Sequence, residues 1–298
     1  MNPIVALIIA NIIWGAASPI FKFALENIPP FTLAFIRFFF ASFFFLPFIW
    51  KYRSQLNLRN FFEICISAFF GITLNISAFF LGLKRTESIN APIIASAGPV
   101  FIFLLSVVFL KEKANKKVFG GMLIALLGVM AIILSPIFLD GARYVSGEVI
   151  GNLLFLLAMF GAVFNTLLNK DLLKKVHPVV VTYFGFLFGA LTFLPLMIVE
   201  LQHWNIQNLN VNGWVGIGYG VIFSSAIAYF LFNYAMTKVD AQETGLFTYI
   251  DPVSAVLIAI PLLAEYPSVY FILGSILVFG GIFIAEGRIP WHPFHKLK

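Results

Sequence analysis

The stretch Gly245–Glu265, "GLFTYIDPVSAVLIAIPLLAE", decides the class of fold. As a helix it would be about 31 Å long, the thickness of a bilayer's hydrocarbon core. One acid, Asp251, interrupts its apolar run before Glu265 closes it. An ionised carboxylate at that depth is costly and marks either a break in the helix or a pathway for polar cargo. Pro252 follows it. Proline belongs in the first turn of a helix and aspartate is a preferred cap, so "IDP" predicts a helix restarting in mid-membrane with Asp251 as its N-cap. Two readings stay open, a purely structural cap and a contact for substrate or proton. Ser96-Ala97-Gly98-Pro99 predicts a matching break earlier in the chain.

The rest of the chain has the same character. Of its 298 residues 61% are hydrophobic and 11% charged, where a soluble protein averages about 25% charged. An all-α polytopic membrane protein follows. Ten segments are long and apolar enough to span: 3–24, 30–50, 61–83, 89–110, 118–134, 148–169, 178–200, 213–237, 242–264 and 267–286. The N-terminus lacks a basic start and a cleavage site, so its apolar run is expected to be a retained span rather than a signal peptide. No P-loop or separate soluble module is left over. The single cysteine, Cys65, and four scattered histidines offer no disulfide framework and no metal cluster, and no cofactor is implied.

The net charge of +6 reflects topology rather than nucleic acid. With the N-terminus inside, fourteen of nineteen lysines and arginines fall on the cytoplasmic side, four fall outside, and Arg37 lies within the second span. This bias predicts a cytoplasmic-membrane protein with both termini in the cytoplasm.

Comparing the chain with itself gives a second layer of order. At an offset of 153, Pro99 meets Pro252, Glu112 meets Glu265, Gly121 meets Gly274 and Gly128 meets Gly281; upstream, Gly15/Gly161 and Pro30/Pro178 match at 146 and 148. The expected organisation is a first five-helix repeat (1–134), an external linker (135–147), a second repeat (148–286) and a basic tail (287–298). Five is odd, so the repeats are expected to be inverted, an arrangement that yields two conformations open to opposite sides. One chain supplies both halves, so a monomer suffices.

"IIWGAASPIFKFAL" (Ile12–Leu25), "PPFTLAFIRFFFASFFFLPF" (Pro29–Phe48), and the pair Ala91–Val129 and Glu243–Ile284 carry a resemblance that covers essentially the whole chain. With a mid-span Pro-Val, a closing Glu and a Gly-rich following span occurring twice, the sequence resembles the drug/metabolite transporter superfamily in its ten-span EamA-type branch. The resemblance implies a secondary carrier that moves small metabolites, often amino acids outward, through a cavity between the halves by alternating access. Its partners would be a small-molecule substrate, protons as a candidate coupling ion, and the bilayer.

Polar residues in the spans are the candidate substrate contacts. Asn11, Trp14 and Ser18 share one helical face by their spacing. Asn75, Ser96, Asn165, Tyr229, Asn233, Tyr249 and Asp251 add amides, hydroxyls and the acid. Such groups either line a cavity or tie helix to helix. Pro99 and Pro252 mark the helix breaks. Arg37, which matches the family's second-span arginine, is read as snorkelling outward or bracing a loop, with Lys22 and Glu265 able to form a gate network beside it. Glu112 is read as a helix-end anchor, and Trp50, Trp204 and Trp291 as interfacial anchors. Import or exchange of a cationic or nucleotide-derived metabolite is the alternative. A lipid-modifying membrane enzyme would need a nucleophile, base or metal cluster that the sequence does not place at an interface.

Overall fold

The computed structural model describes residues 1–52, 55–101, 116–140, 147–239, 244 and 247–286. Among them the regular structure is entirely helical. Helix α1 is Pro3–Leu25, capped by Asn2, whose side chain accepts from the Ile4 N–H. The second span is α2 (Pro30–Phe43) and α3 (Leu46–Tyr52), bent by 57° at the break. Helix α4 runs Leu58–Leu83. After the short α5 (Asn90–Ala95) come α6 (Lys116–Asp140), α7 (Gly147–Leu172) and α8 (Pro178–Glu200). The set ends with α9 (Val211–Met236), α10 (Ile250–Leu263) and α11 (Val269–Glu286).

Six of these helices are long and apolar enough to cross a membrane, or seven with the bent pair taken as one span. Phenylalanines face outward in the exposed state over much of the surface, Phe40, Phe48 and Phe283 among them. Contiguous apolar exposure of this kind fits hydrocarbon, not water. The chain is a multi-pass membrane protein. The predicted ninth and tenth spans are shorter helices than expected, and the fourth, 89–110, lies partly outside the described residues, as does Glu112. Helix α6 continues to Asp140, into the predicted linker. Trp50 is exposed, but Trp204 is drawn inward to donate to the Asn27 carbonyl at 2.8 Å; Trp291 lies outside the described residues.

Two helix pairs show how the bundle closes. A Cβ added at Gly128 would fall 2.6 Å from the Gly274 carbonyl oxygen, and one at Gly281 would fall 2.4 Å from that of Gly121. As α6 runs from 121 to 128, α11 therefore runs from 281 to 274, so the two are antiparallel with backbones in contact. Without a hydrophobic force between helices in lipid, such close approach supplies the dispersion energy that joins them. In the other pair, α2 and α8, Phe38 meets Phe186 at 5.2 Å and Phe31 meets Phe193 at 6.2 Å, again antiparallel. Glu200 accepts from the backbone N–H groups of Phe31 and Thr32 and caps α2, whose own N-cap, Pro29, has no side chain to do so.

Contacts sort the loops into two ends. At one, the Tyr234 hydroxyl donates to the Met1 carbonyl, the His177 N–H to Gln55, and Lys170 to the carbonyls of Met236 and Val239. At the other lie Lys22, Asn27, Thr86, Ser88, Glu200, Asn208 and Glu265.

Gly128→Val should cost about 1–3 kcal/mol through backbone clash, whereas Gly120→Ala, which meets nothing within 4 Å, should be neutral. Thermal midpoints in detergent would separate the two.

Candidate functional site

Helices α4 and α9 each contain a π-helical segment, Phe69–Leu74 and Tyr219–Ile227. A π-segment widens the turn and leaves carbonyls without their usual partner. The Ser224 carbonyl uses this freedom, accepting from the Trp14 indole at 3.1 Å and from Arg37 Nη2 at 3.3 Å. The Gly71 carbonyl, in the other segment, faces the Tyr229 hydroxyl at 3.4 Å.

Between these segments lies a cavity of about 240 Å³. Of the sequence-predicted contacts, Trp14, Ser18, Asn75, Asn165, Tyr229, Asn233 and Asp251 line it, together with Pro99. Asn11, Ser96 and Tyr249 do not. Asn11 packs between helices and its Nδ2 donates to the Leu7 carbonyl; Ser96 donates to the Pro92 carbonyl; Tyr249 stacks edge-on against Phe279. Several lining amides already serve the protein: Asn75 donates to the Ala158 carbonyl, Asn165 to Ser67, and Asn233 to Thr182. These three tie helices together as they face the space. Trp14 stands edge-on to Tyr229, 5.2 Å between ring centres, and makes an aromatic wall.

The break in the fourth segment falls where expected, at Ser96-Ala97, with helical backbone resuming at Gly98. That before α10 differs from expectation. A 3₁₀ turn, Phe247–Tyr249, leads directly into α10, so Tyr249 occupies the N-cap and Asp251 sits inside the first turn. Asp251 is thereby released from capping. Its Oδ1 is buried with no hydrogen-bond partner among the described residues. Pro252 is buried behind it. Gly15 makes the approach possible, since a Cβ there would lie 2.4 Å from the Asp251 carbonyl oxygen.

Arg37 also departs from expectation. It does not snorkel; it is 2% exposed and lines the cavity. Its Nε donates to Ser225 at 2.6 Å and its Nη2 to the Ser224 hydroxyl at 2.9 Å, while the rings of Phe21 and Phe38 lie under the guanidinium at 4.8 and 4.7 Å. These contacts satisfy donors without neutralising the charge. No carboxylate pairs with it among the described residues. The sequence signal that was missed is Ser224-Ser225, two adjacent hydroxyls in an apolar span.

Lys22 and Glu265 do meet, at 2.6 Å, but Arg37 has no part in their network. The Glu265 carboxylate also accepts from the N–H and hydroxyl of Ser88, and Lys22 donates to the Thr86 carbonyl. The left-handed backbone of Ala264, φ 53°, turns Glu265 into this position. The pair thus latches α1 and the loop after α4 to the end of α10. Burial, reinforced by the nearby Glu265 and opposed by Lys22, lifts the Glu87 carboxyl above its usual range.

The sequence profile of the EamA-like transporter family matches residues 1–134 and 149–286. The chain belongs to that family. The uncharacterized transporter YetK of Bacillus subtilis is 32% identical over 95% of this chain and 86% of its own length. An uncharacterized transporter of Archaeoglobus fulgidus is 26% identical over 95% of this chain and 96% of that one. The chloroplastic WAT1-related protein At3g02690 of Arabidopsis thaliana is 23% identical over 92% of this chain and 66% of its own. One crystal structure superposes with a TM-score of 0.66 over 95% of this chain at 18% identity, a likeness of fold alone. This EamA-family chain is a membrane transporter, not an enzyme, and the cavity is its candidate substrate site.

Two outcomes test the latch. Glu265→Gln and Lys22→Met should each lower the thermal midpoint, and the double variant should lose less than the sum, the signature of a coupled pair. For Glu87 the raised value means that ionisation is disfavoured in the folded state, so its stabilising contribution is complete at acid pH and is lost as pH rises through the raised value. Glu87→Gln should therefore raise the midpoint at neutral pH and leave it unchanged below the ordinary carboxylate range.

Proposed function

We propose that this transporter carries small zwitterionic metabolites, amino acids foremost, and exports them across the cytoplasmic membrane by alternating access. The observation that carries the reading is a single cavity lined by a guanidinium and a carboxyl group that have no ionic partner among the described residues. The two groups meet different turns of α1, the Asp251 backbone at Gly15 and the Arg37 guanidinium over the Phe21 ring, and no salt bridge joins them among the described residues. Asp251 takes the cation, a substrate ammonium or a proton, and Arg37 takes the carboxylate. Trp14, Phe79 and Tyr229 face the apolar part. A volume of about 240 Å³ lies below the range of drug-sized sites and suits a molecule of this size.

The scaffold in this reading is ten spans in two inverted five-helix repeats, with both termini cytoplasmic. Its support lies in several features. The antiparallel pair α6 and α11 touches reciprocally, Gly128 on Gly274 and Gly121 on Gly281, residues that the offset of 153 makes equivalents. Phe38 and Phe186, equivalents at 148, face each other. The π-segment Phe69–Leu74 maps by 153 onto 222–227, inside the second π-segment. Each is what a pseudo-two-fold axis between the halves would place there. The two loop ends also divide the basic residues, with Lys51, Arg59, Lys170, Lys174, Lys175 and Lys238 on the side of Met1. The Lys22–Glu265 latch then closes the outer end.

Counterflow of radiolabelled neutral amino acids in proteoliposomes tests the assignment. Arg37→Gln and Asp251→Asn should each slow it by about tenfold or more, with the pH dependence flattened in Asp251→Asn. Unchanged transport and pH profile in Asp251→Asn would remove that acid from the mechanism. Preference for cationic or nucleotide-derived solutes over amino acids would favour the alternative cargo.

A further inference from the structure

The bend in the second span opens a second space, separate from the cavity. Between α3, the cytoplasm-assigned half of α9 and the loop before α8 runs a groove of about 1000 Å³ that shares no lining residue with the cavity. Phe44, Phe45 and Phe48 form one wall, and Ile227, Phe230 and Leu231 the other. Phe44 and Phe48 are 51% and 57% exposed, so the wall is unfilled by protein.

One end of this apolar slot is basic. Lys174, Lys175 and Lys238 stand exposed at its mouth. Among the described residues two acids lie near them: Asp171 bonds Lys174 at 2.6 Å, and Glu63 lies 3.7 Å from Lys175 while bonded to Arg59. Lys238 has no acidic partner among the described residues. His177, stacked on Tyr52 at 3.6 Å, floors that end, and burial together with the nearby Lys51 holds its imidazole below its usual value.

We propose that this groove is a binding site for one anionic phospholipid, its acyl chain against the phenylalanines and its phosphate beneath Lys174, Lys175 and Lys238. The charge complementarity selects the occupant. An apolar slot at membrane depth with cations only at the headgroup level suits an amphiphile with a negative head, and basic pockets between spanning helices on the cytoplasmic side bind such heads. The leaflet named here rests on the orientation proposed above; binding itself does not. The site has a consequence for the carrier. Tyr229 and Asn233 of α9 face the cavity, while Phe230 and Tyr234 face the groove. A lipid seated there braces the outer side of a cavity wall.

The test uses the full chain, purified and delipidated in mild detergent, with native mass spectrometry and thermal midpoints. Phosphatidylglycerol should bind as one retained copy and raise the midpoint, while phosphatidylcholine and soluble glycerol phosphate should not. At about fivefold per lysine, replacing Lys174, Lys175 and Lys238 by Gln should weaken binding by about a hundredfold. The lipid-free midpoint of that variant should match the parent's, which shows that it folds. Lys84→Gln with Arg85→Gln, at the opposite end, should leave binding unchanged. Equal stabilisation by phosphatidylcholine, an undiminished effect in the triple variant, or reproduction by glycerol phosphate would each overturn the proposal, the last pointing to a free-phosphate site.

Discussion

Hydrocarbon offers no hydrogen bonds, and this constraint organises the whole molecule. Every irregular carbonyl at depth must find a donor inside the protein. The π-segment of α9 frees the Ser224 carbonyl, and Trp14 and Arg37 supply donors from two other helices. Glu200 reaches across to cap α2 because Pro29 cannot. Asn75, Asn165 and Asn233 each donate to a neighbouring helix. The same bonds that satisfy the backbone therefore bring α1, α2, α4, α7 and α9 around one space.

Against that background Arg37 and Asp251 stand out. Nearly every buried side-chain polar atom among the described residues has a partner; the exceptions are Oδ1 of Asp251 and Oδ1 of Asn11. Arg37 has hydroxyls, a carbonyl and aromatic faces, but no anion among the described residues. A protein that satisfies its polar groups so thoroughly gains no stability by leaving an acid and a base apart in one cavity. In the proposed reading their arrangement is complementary to a visiting substrate. The Lys22–Glu265 pair is the contrast, a charge pair fully used by the protein, with Ser88 and Thr86 completing it.

Family membership and geometry divide the functional argument between them. Membership fixes the class, a membrane transporter. The cavity's size and its lining are what the proposed cargo rests on, and the antiparallel contacts at Gly128–Gly274 and Phe38–Phe186 are what the proposed two-halves arrangement rests on.

The linear sequence determined the membrane class, the helix Pro178–Glu200 to the residue and the break at Ser96-Ala97, because hydropathy and proline act over a few residues. Only the tertiary structure decided the roles of Arg37, Asp251 and Ser224. Whether Arg37 snorkels or turns inward depends on Ser224 and Ser225, nearly two hundred residues away. Whether Asp251 caps a helix or lies inside its first turn depends on a 3₁₀ turn that moves the N-cap back two residues, to Tyr249. The groove likewise exists because a 57° bend falls at Phe44-Phe45, in a run of phenylalanines that reads as uninterrupted helix. Polar groups in lipid choose partners by proximity in space, and that proximity is set by packing rather than by local pattern.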